Sequence, residues 1–178
     1  MSVQKVFHGR KLRVCYWNTD PRVVSTGRMV LESELAQLGD LDFREVRALD
    51  DPSIFPCDVL VIAGQKVPDD EFIGWLQRIQ TRMIAQGGIW VPAVIVADVA
   101  PSVLHEAMTA AIRSNWYFDI VSPDHVRSLP IRVANFLRLH DHLHELRRYG
   151  EAMDALQSKV NMLEAQVQAI HAGRSSQP

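Results

Sequence analysis

Histidines, carboxylates, a glycine pair and two thiols are the groups with which this chain could do chemistry. The clearest cluster is His140-Asp141-His142-Leu143-His144. On a helix His140 and His144 share a face, so they could hold zinc or sense pH. No cysteine or third ligand stands at fitting spacing, although His142 could lie near its own copy in a dimer. A solvated helix face is the favoured reading. Asp20 and Asp98 each follow a strand-like run and could form a weak cation site, but a strand is expected between them, which sets them far apart. Asp69 and Asp70 read as helix caps, where negative charge offsets the helix dipole. Gly87-Gly88 lacks the further glycines and the lysine of a phosphate loop and follows a helix rather than a strand, so it reads as a helix stop. Lys66, after Gly64-Gln65, is a weak anion candidate. Cys15 and Cys57 lie in apolar runs and read as buried reduced thiols, with a disulfide or redox pair as the lesser alternative. No metal and no cofactor is expected from this set.

The elements that must position these residues follow from periodicity. Leu12 to Trp17, Phe43 to Val46, Asp58 to Gly64, Pro92 to Val96 and Tyr117 to Val121 read as strands, several of them apolar throughout, as strands buried on both faces are. Asn18-Thr19-Asp20-Pro21 reads as a turn after the first. Between the strands, Val24, Leu31, Leu35 and Leu38 recur at helical spacing before Gly39. So do Phe72, Leu76, Ile79 and Met83, and then Leu104, Met108, Ala111 and Ile112 behind Pro101. From Asp50 to Pro56 any helix must be very short. Trp17, Trp75 and Trp90 read as core or edge packing. Strands alternating with helices predict a parallel sheet covered on both faces. Five strands suit the flavodoxin-like order 2-1-3-4-5, with ligand chemistry at the strand C-terminal ends.

The last third has a different period. Ser128 can cap a helix with Pro130 in its first turn. Leu146, Met153, Leu156, Val160, Leu163, Val167 and Ile170 mark an a/d seam flanked by polar residues. Leu139 and Leu143 continue an apolar stripe upstream, with a register shift near Gly150, the one weak interior position. The chain of 178 residues carries a net charge of -2 and 47% hydrophobic residues, enough for one packed domain and an appendage. Near-neutral charge gives no electrostatic reason to expect nucleic acid or an anionic membrane as the main partner. No apolar stretch reaches the roughly 20 residues of a membrane span, and no signal-peptide layout opens the chain. A cytoplasmic location is therefore expected.

From Leu12 to about Leu139 this layout resembles the receiver domain of two-component response regulators. In that family strand 1 ends in two acidic residues that hold magnesium, and strand 3 ends in the aspartate that takes the phosphoryl group. Strand 4 ends in Ser or Thr, and strand 5 in Lys-Pro. The resemblance sets the acidic pair on Asn18 and Thr19 and the acceptor on Ala63, or on Gly64 if the alignment slips by one. It sets the hydroxyl on Ala97 and the lysine on Ser122, with Pro123 keeping the proline. Phosphoryl transfer to a side chain needs a carboxylate nucleophile and a divalent ion. Ala63 offers no nucleophile, Asn18 and Thr19 lack the charge that draws magnesium, and Ser122 supplies no cation. The four losses together imply that the chemistry is gone.

A closer resemblance is to the antitermination (ANTAR) regulators of amidase-type operons, which join a degenerate receiver to a coiled coil and a small helical RNA-binding module. The strand-1 loop with proline, the very short second helix and the run into the seam are similar. No segment of the roughly 50 residues such a module needs follows the seam here, so RNA binding is not expected to carry over. The layout also resembles receiver-plus-linker segments that precede diguanylate cyclase domains. Trp116 and Tyr117, before the last strand, read as packing against a neighbouring helix, but in receivers the face of helix 4, strand 5 and helix 5 is the usual docking surface, which makes them candidate partner anchors.

The expected organisation is an N-terminal arm (1–11), a pseudo-receiver domain (12–139), a dimerisation helix forming a parallel two-stranded coiled coil (140–172) and a tail (173–178). The expected function is non-catalytic regulation by a homodimer that binds an unidentified regulatory protein, with no direct nucleic-acid or membrane contact. Two alternatives stay open. One is an antitermination-type regulator that contacts RNA through a partner, and the other a phosphate-responsive regulator with a displaced acceptor.

Overall fold

The computed structural model describes residues 7, 11–18, 21–46, 48, 51, 54–64, 67–86, 91–114 and 116–174, with backbone alone for 21–26 and 170–174. Five runs become strands: β1 (Lys11–Asn18), β2 (Asp40–Val46), β3 (Val59–Ala63), β4 (Ala93–Val96) and β5 (Phe118–Val121). They lie in the order β2-β1-β3-β4-β5, and every neighbouring pair is parallel. This is the flavodoxin-like arrangement expected from the alternation of strands and helices. The helices are α1 (Pro21–Leu38), α2 (Asp69–Ala85), α3 (Pro101–Ser114) and α4 (Leu129–Arg174), and a 3-10 segment, Pro123–Ser128, precedes α4. No helix among the described residues is long and apolar enough to cross a membrane. The chain separates into two compact units, Met1–His140 and Asp141–Pro178.

Side chains alternate across a strand with a period of two, and both faces of this sheet are covered. On one face Cys15, Leu60, Ile62, Ala93 and Ile95 meet Phe72, Trp75, Leu76, Ile79 and Met83 of α2 and Ala107 and Ala111 of α3. On the other, Val14, Tyr16, Val59, Val61, Val94 and Val96 meet Leu31 and Leu35 of α1 and Leu129, Val133 and Leu137 of α4. Two covered faces are why β3 and β4 contain no polar residue. Each fully buried Leu, Ile or Val contributes roughly 1.5–3 kcal/mol.

Several elements differ from the expectations. β2 begins three residues early, because pairing with Lys11–Trp17 of β1 draws Asp40-Leu41-Asp42 into the sheet despite their low strand propensity. Lys11 Nζ stands 3.8 Å from Asp42 Oδ2 across that pair. Before β3, where any helix was expected to be very short, Ile54 lies in a 3-10 turn in keeping with that expectation, and its side chain and that of Cys57 are buried in the core on the α2 face. The buried face of α3 is made of small residues, Ala107 and Ala111, with Val103 beside them. Leu104, Met108 and Ile112, expected inside with Ala111, are exposed, Ile112 by 81%. A helix that approaches a sheet closely favours small side chains, and residue size misleads there. Asp69 and Asp70 lie in the first turn of α2 with Glu71, but the N-cap is Pro68 and no side chain caps it. Their charge still faces the positive end of the helix dipole. The Ser128 hydroxyl, expected to cap α4, donates to the His125 carbonyl at 2.8 Å and accepts from Arg132 Nε at 3.3 Å. Trp75 is in the core and Trp17 packs half-buried against it, as expected. The Val24 side chain and Gly87, Gly88 and Trp90 lie outside the described residues.

Tyr16 is among the most buried side chains, with its ring centroid 5.7 Å from that of Phe43. Burial pushes its hydroxyl up to about 12, Glu45 adds to the rise, and Arg28 opposes it. The native state therefore holds a neutral phenol where the unfolded chain ionises near pH 10. That stability is fully present below about pH 10 and drains away as pH climbs toward 12. From pH 10 to 12, wild type should lose roughly 2 kcal/mol more unfolding free energy than Tyr16→Phe. Urea denaturation at both pH values measures this. Equal losses would show that Tyr16 ionises as readily folded as unfolded.

Candidate functional site

In this strand order the topological switch point falls between β1 and β3, where flavodoxin-like sheets hold their ligands. The last residue of β1, Asn18, pairs with the last of β3, Ala63. Ala63 is 3% exposed and Ala97, after β4, is 7% exposed, so both methyls are part of the core rather than the walls of an open cleft. Gly64 follows with φ 78°, a left-handed turn that glycine adopts without strain. At the end of β5 the Ser122 hydroxyl accepts from Asp124 N at 3.4 Å and caps the 3-10 segment. Asp98 is exposed after β4, and β3 does lie between β1 and β4. Thr19, Asp20, Gln65 and Lys66 lie outside the described residues. The described strand ends thus bring together an amide, two methyls and a hydroxyl engaged in capping.

The thiols are buried, as expected. Cys15 Sγ donates to the Ile54 carbonyl at 3.0 Å and Cys57 Sγ to the Val59 carbonyl at 3.0 Å. Burial pushes the Cys57 thiol well above its usual range, which keeps it protonated and a poor nucleophile. Of the two proposed anchors, Trp116 is buried. Its ring lies 5.2 Å from that of Phe118, and its indole N–H donates to the Val91 carbonyl at 3.4 Å. It is a core residue, which corrects its assignment to a partner surface. Tyr117 is exposed, as are Leu104, Met108 and Ile112, one helical stripe on α3. Sequence reasoning missed that stripe because it placed those side chains inside. A depression of about 80 Å³ between α2 and α3, lined by Gln77, Gln80, Ala110, Ser114 and Trp116, is far smaller than an ordinary ligand pocket.

In the second unit α4 runs unbroken through Gly150. Leu146, Met153, Leu156, Val160, Leu163 and Val167 are all exposed, and the side chain of Ile170 lies outside the described residues. Tyr149, also exposed, stands three residues after Leu146 and four before Met153. It fills the gap between Leu146 and Met153, so the three-four alternation is continuous from Leu146 to Val167, while the two successive steps of three from Leu143 to Leu146 to Tyr149 keep the register shift just before Gly150. Its hydroxyl hid it from a search for aliphatic residues. His140 is half-buried and His142 and His144 are exposed. Among the described residues no group of three or more histidine, cysteine or acidic side chains is placed to hold a metal ion.

No family model, no curated protein and no solved structure matches the chain.

Two predictions follow from these placements. Ala63→Asp would bury a carboxylate among apolar groups and should destabilise the first unit by roughly 3 kcal/mol without conferring a fluorescence response to beryllofluoride and magnesium. A stable variant that responds would show an intact cation site at the strand ends. A Cβ at Gly150 would meet nothing within 4 Å, so Gly150→Ala should raise helix stability by about 1 kcal/mol. Thermal melting followed by circular dichroism measures it, and an unchanged melt would mean that the helix is broken there in solution.

Proposed function

We propose that this chain is a non-catalytic regulatory protein, a receiver-like α/β unit that has lost phosphotransfer and that dimerises through the seam of α4. The observation that carries the reading is the set of strand ends. Ala63 stands where the resemblance to receivers sets the acceptor aspartate, Ala97 where it sets the hydroxyl, and the Ser122 side chain is occupied with capping. An amide and two methyls neither attack phosphorus nor neutralise the charge of a phosphoryl group. The exposed seam supports the second half. A helix with seven large side chains in one stripe, from Leu146 to Val167, leaves apolar surface in water unless it pairs.

On this reading the layout is that of amidase-type antitermination regulators in receiver and linker. A partner protein would meet the first unit at Tyr117 and the α3 stripe of Leu104, Met108 and Ile112, since exposed apolar clusters with tyrosine suit interfaces. Signal would then pass by contact, without a phosphoryl group.

Leu156→Asp sets two carboxylates against each other in the centre of the paired seam. Light scattering should report a dimer for wild type and a monomer for the variant, with the first unit's circular dichroism unchanged. A variant that stays dimeric would move the association to the α/β unit and overturn the seam.

A further inference from the structure

The seam defines a register on α4 in which Leu146, Met153, Val160 and Val167 are a positions and Tyr149, Leu156 and Leu163 are d positions. Valine at a with leucine at d favours two parallel strands. The flanking e and g positions from Glu145 to Gln166 are mostly neutral: Gly150, Ala152, Gln157 and Gln166. Three charged residues interrupt them: Glu145, Lys159 and Glu164. Elsewhere on the helix Arg147 Nε meets Glu151 Oε1 at 3.0 Å, one turn along. Lys159 and Glu164 differ. The residues three and four positions from Lys159 are Ala155, Leu156, Met162 and Leu163, and those around Glu164 are Val160, Asn161, Val167 and Gln168. Neither residue has an oppositely charged neighbour on its own helix face, where such pairs form.

Lys159 is a g position, and Glu164 is the e position five residues on. In a parallel, in-register pair each g residue faces the following e residue of the other helix. We propose that Lys159 and Glu164 select the pairing of α4 with a second copy of this chain, parallel and in register, through two symmetric Lys159–Glu164 ion pairs. The inference rests on the dimer proposed above and adds to it the orientation, the register and the residues that recognise the partner. A slip of one heptad opposes Lys159 to an uncharged glutamine or to His171 and forfeits the pairs. An antiparallel arrangement can oppose Lys159 to Glu145 of the second copy and leaves Glu164 without a role. With so few other charges along the flanks, these two decide the choice.

Charge exchange tests this on the full chain. Sedimentation equilibrium at low salt should show self-association weakened about tenfold in Lys159→Glu and in Glu164→Lys, since each turns two attractions into repulsions. The double variant should recover wild-type association to within about threefold. An equimolar mixture of the two single variants, one carrying a mass tag, should form mixed dimers in excess of the statistical half, because only the mixed dimer has both pairs. Wild type that dimerises while Glu164→Lys has no effect, or a double variant no better than the singles, would overturn the pairing and leave the dimer standing. Wild type that is monomeric at every concentration would overturn the dimer itself.

Discussion

The sheet is buried on both faces, and most of this structure follows from that. A parallel strand in the middle of such a sheet has no solvent side, so Val59–Ala63 and Ala93–Val96 must be apolar throughout, and the helices must divide between the two faces. Backbone groups are then satisfied within the sheet, and side chains alternate between two separate cores. Asp58, the one buried charged side chain among the described residues, stands at the entrance to β3, where its Oδ2 accepts from Arg13 N at 2.9 Å and its own N–H donates to the Arg13 carbonyl at 2.8 Å. That reciprocal contact ties the start of β3 to β1 and sets the register that brings Asn18 beside Ala63.

The same burial reaches the strand ends, where a flavodoxin-like fold ordinarily turns to chemistry. Ala63 and Ala97 are closed over, and Ser122 serves the backbone of the 3-10 segment. Polar groups at such an end would have to be paired or hydrated, whereas methyls add to the core and need neither. Uncharged groups at the strand ends thus need not weaken the fold, which suits the proposed scaffold that works through its surface.

Among the described residues that surface carries two apolar stripes at helical spacing. On α3 large residues face out because small ones face in. On the second unit of the chain, the stripe of α4 has the three-four alternation that supports the proposed pairing, and the charges beside it are sparse enough for a single repeated ion pair to matter.

By itself the sequence determined the fold class and the stripe of the last helix, because both depend on periodicity, whereas the order β2-β1-β3-β4-β5 was expected from likeness to flavodoxin-like sheets and fixed by pairing. Continuous apolar runs mean strands covered twice, alternation with helices means parallel pairing, and steps of three and four mean one helical stripe. It also determined the side-chain chemistry at the strand ends, since Ala63 and Ala97 cannot be nucleophiles in any conformation. Only the tertiary structure decided which face of an apolar helix is inside. Hydropathy ranked Leu104, Met108 and Ile112 above Ala107, but Ala107 and Ala111 are the residues that pack into the core. It likewise decided that Trp116 is core while Tyr117 is surface, since neighbouring residues at the entry to a strand point in opposite directions. It drew Asp40 and Asp42 into β2 through pairing with β1, which no local propensity supplies. Local pattern states which residues need burial, and packing against particular neighbours decides which of them obtain it.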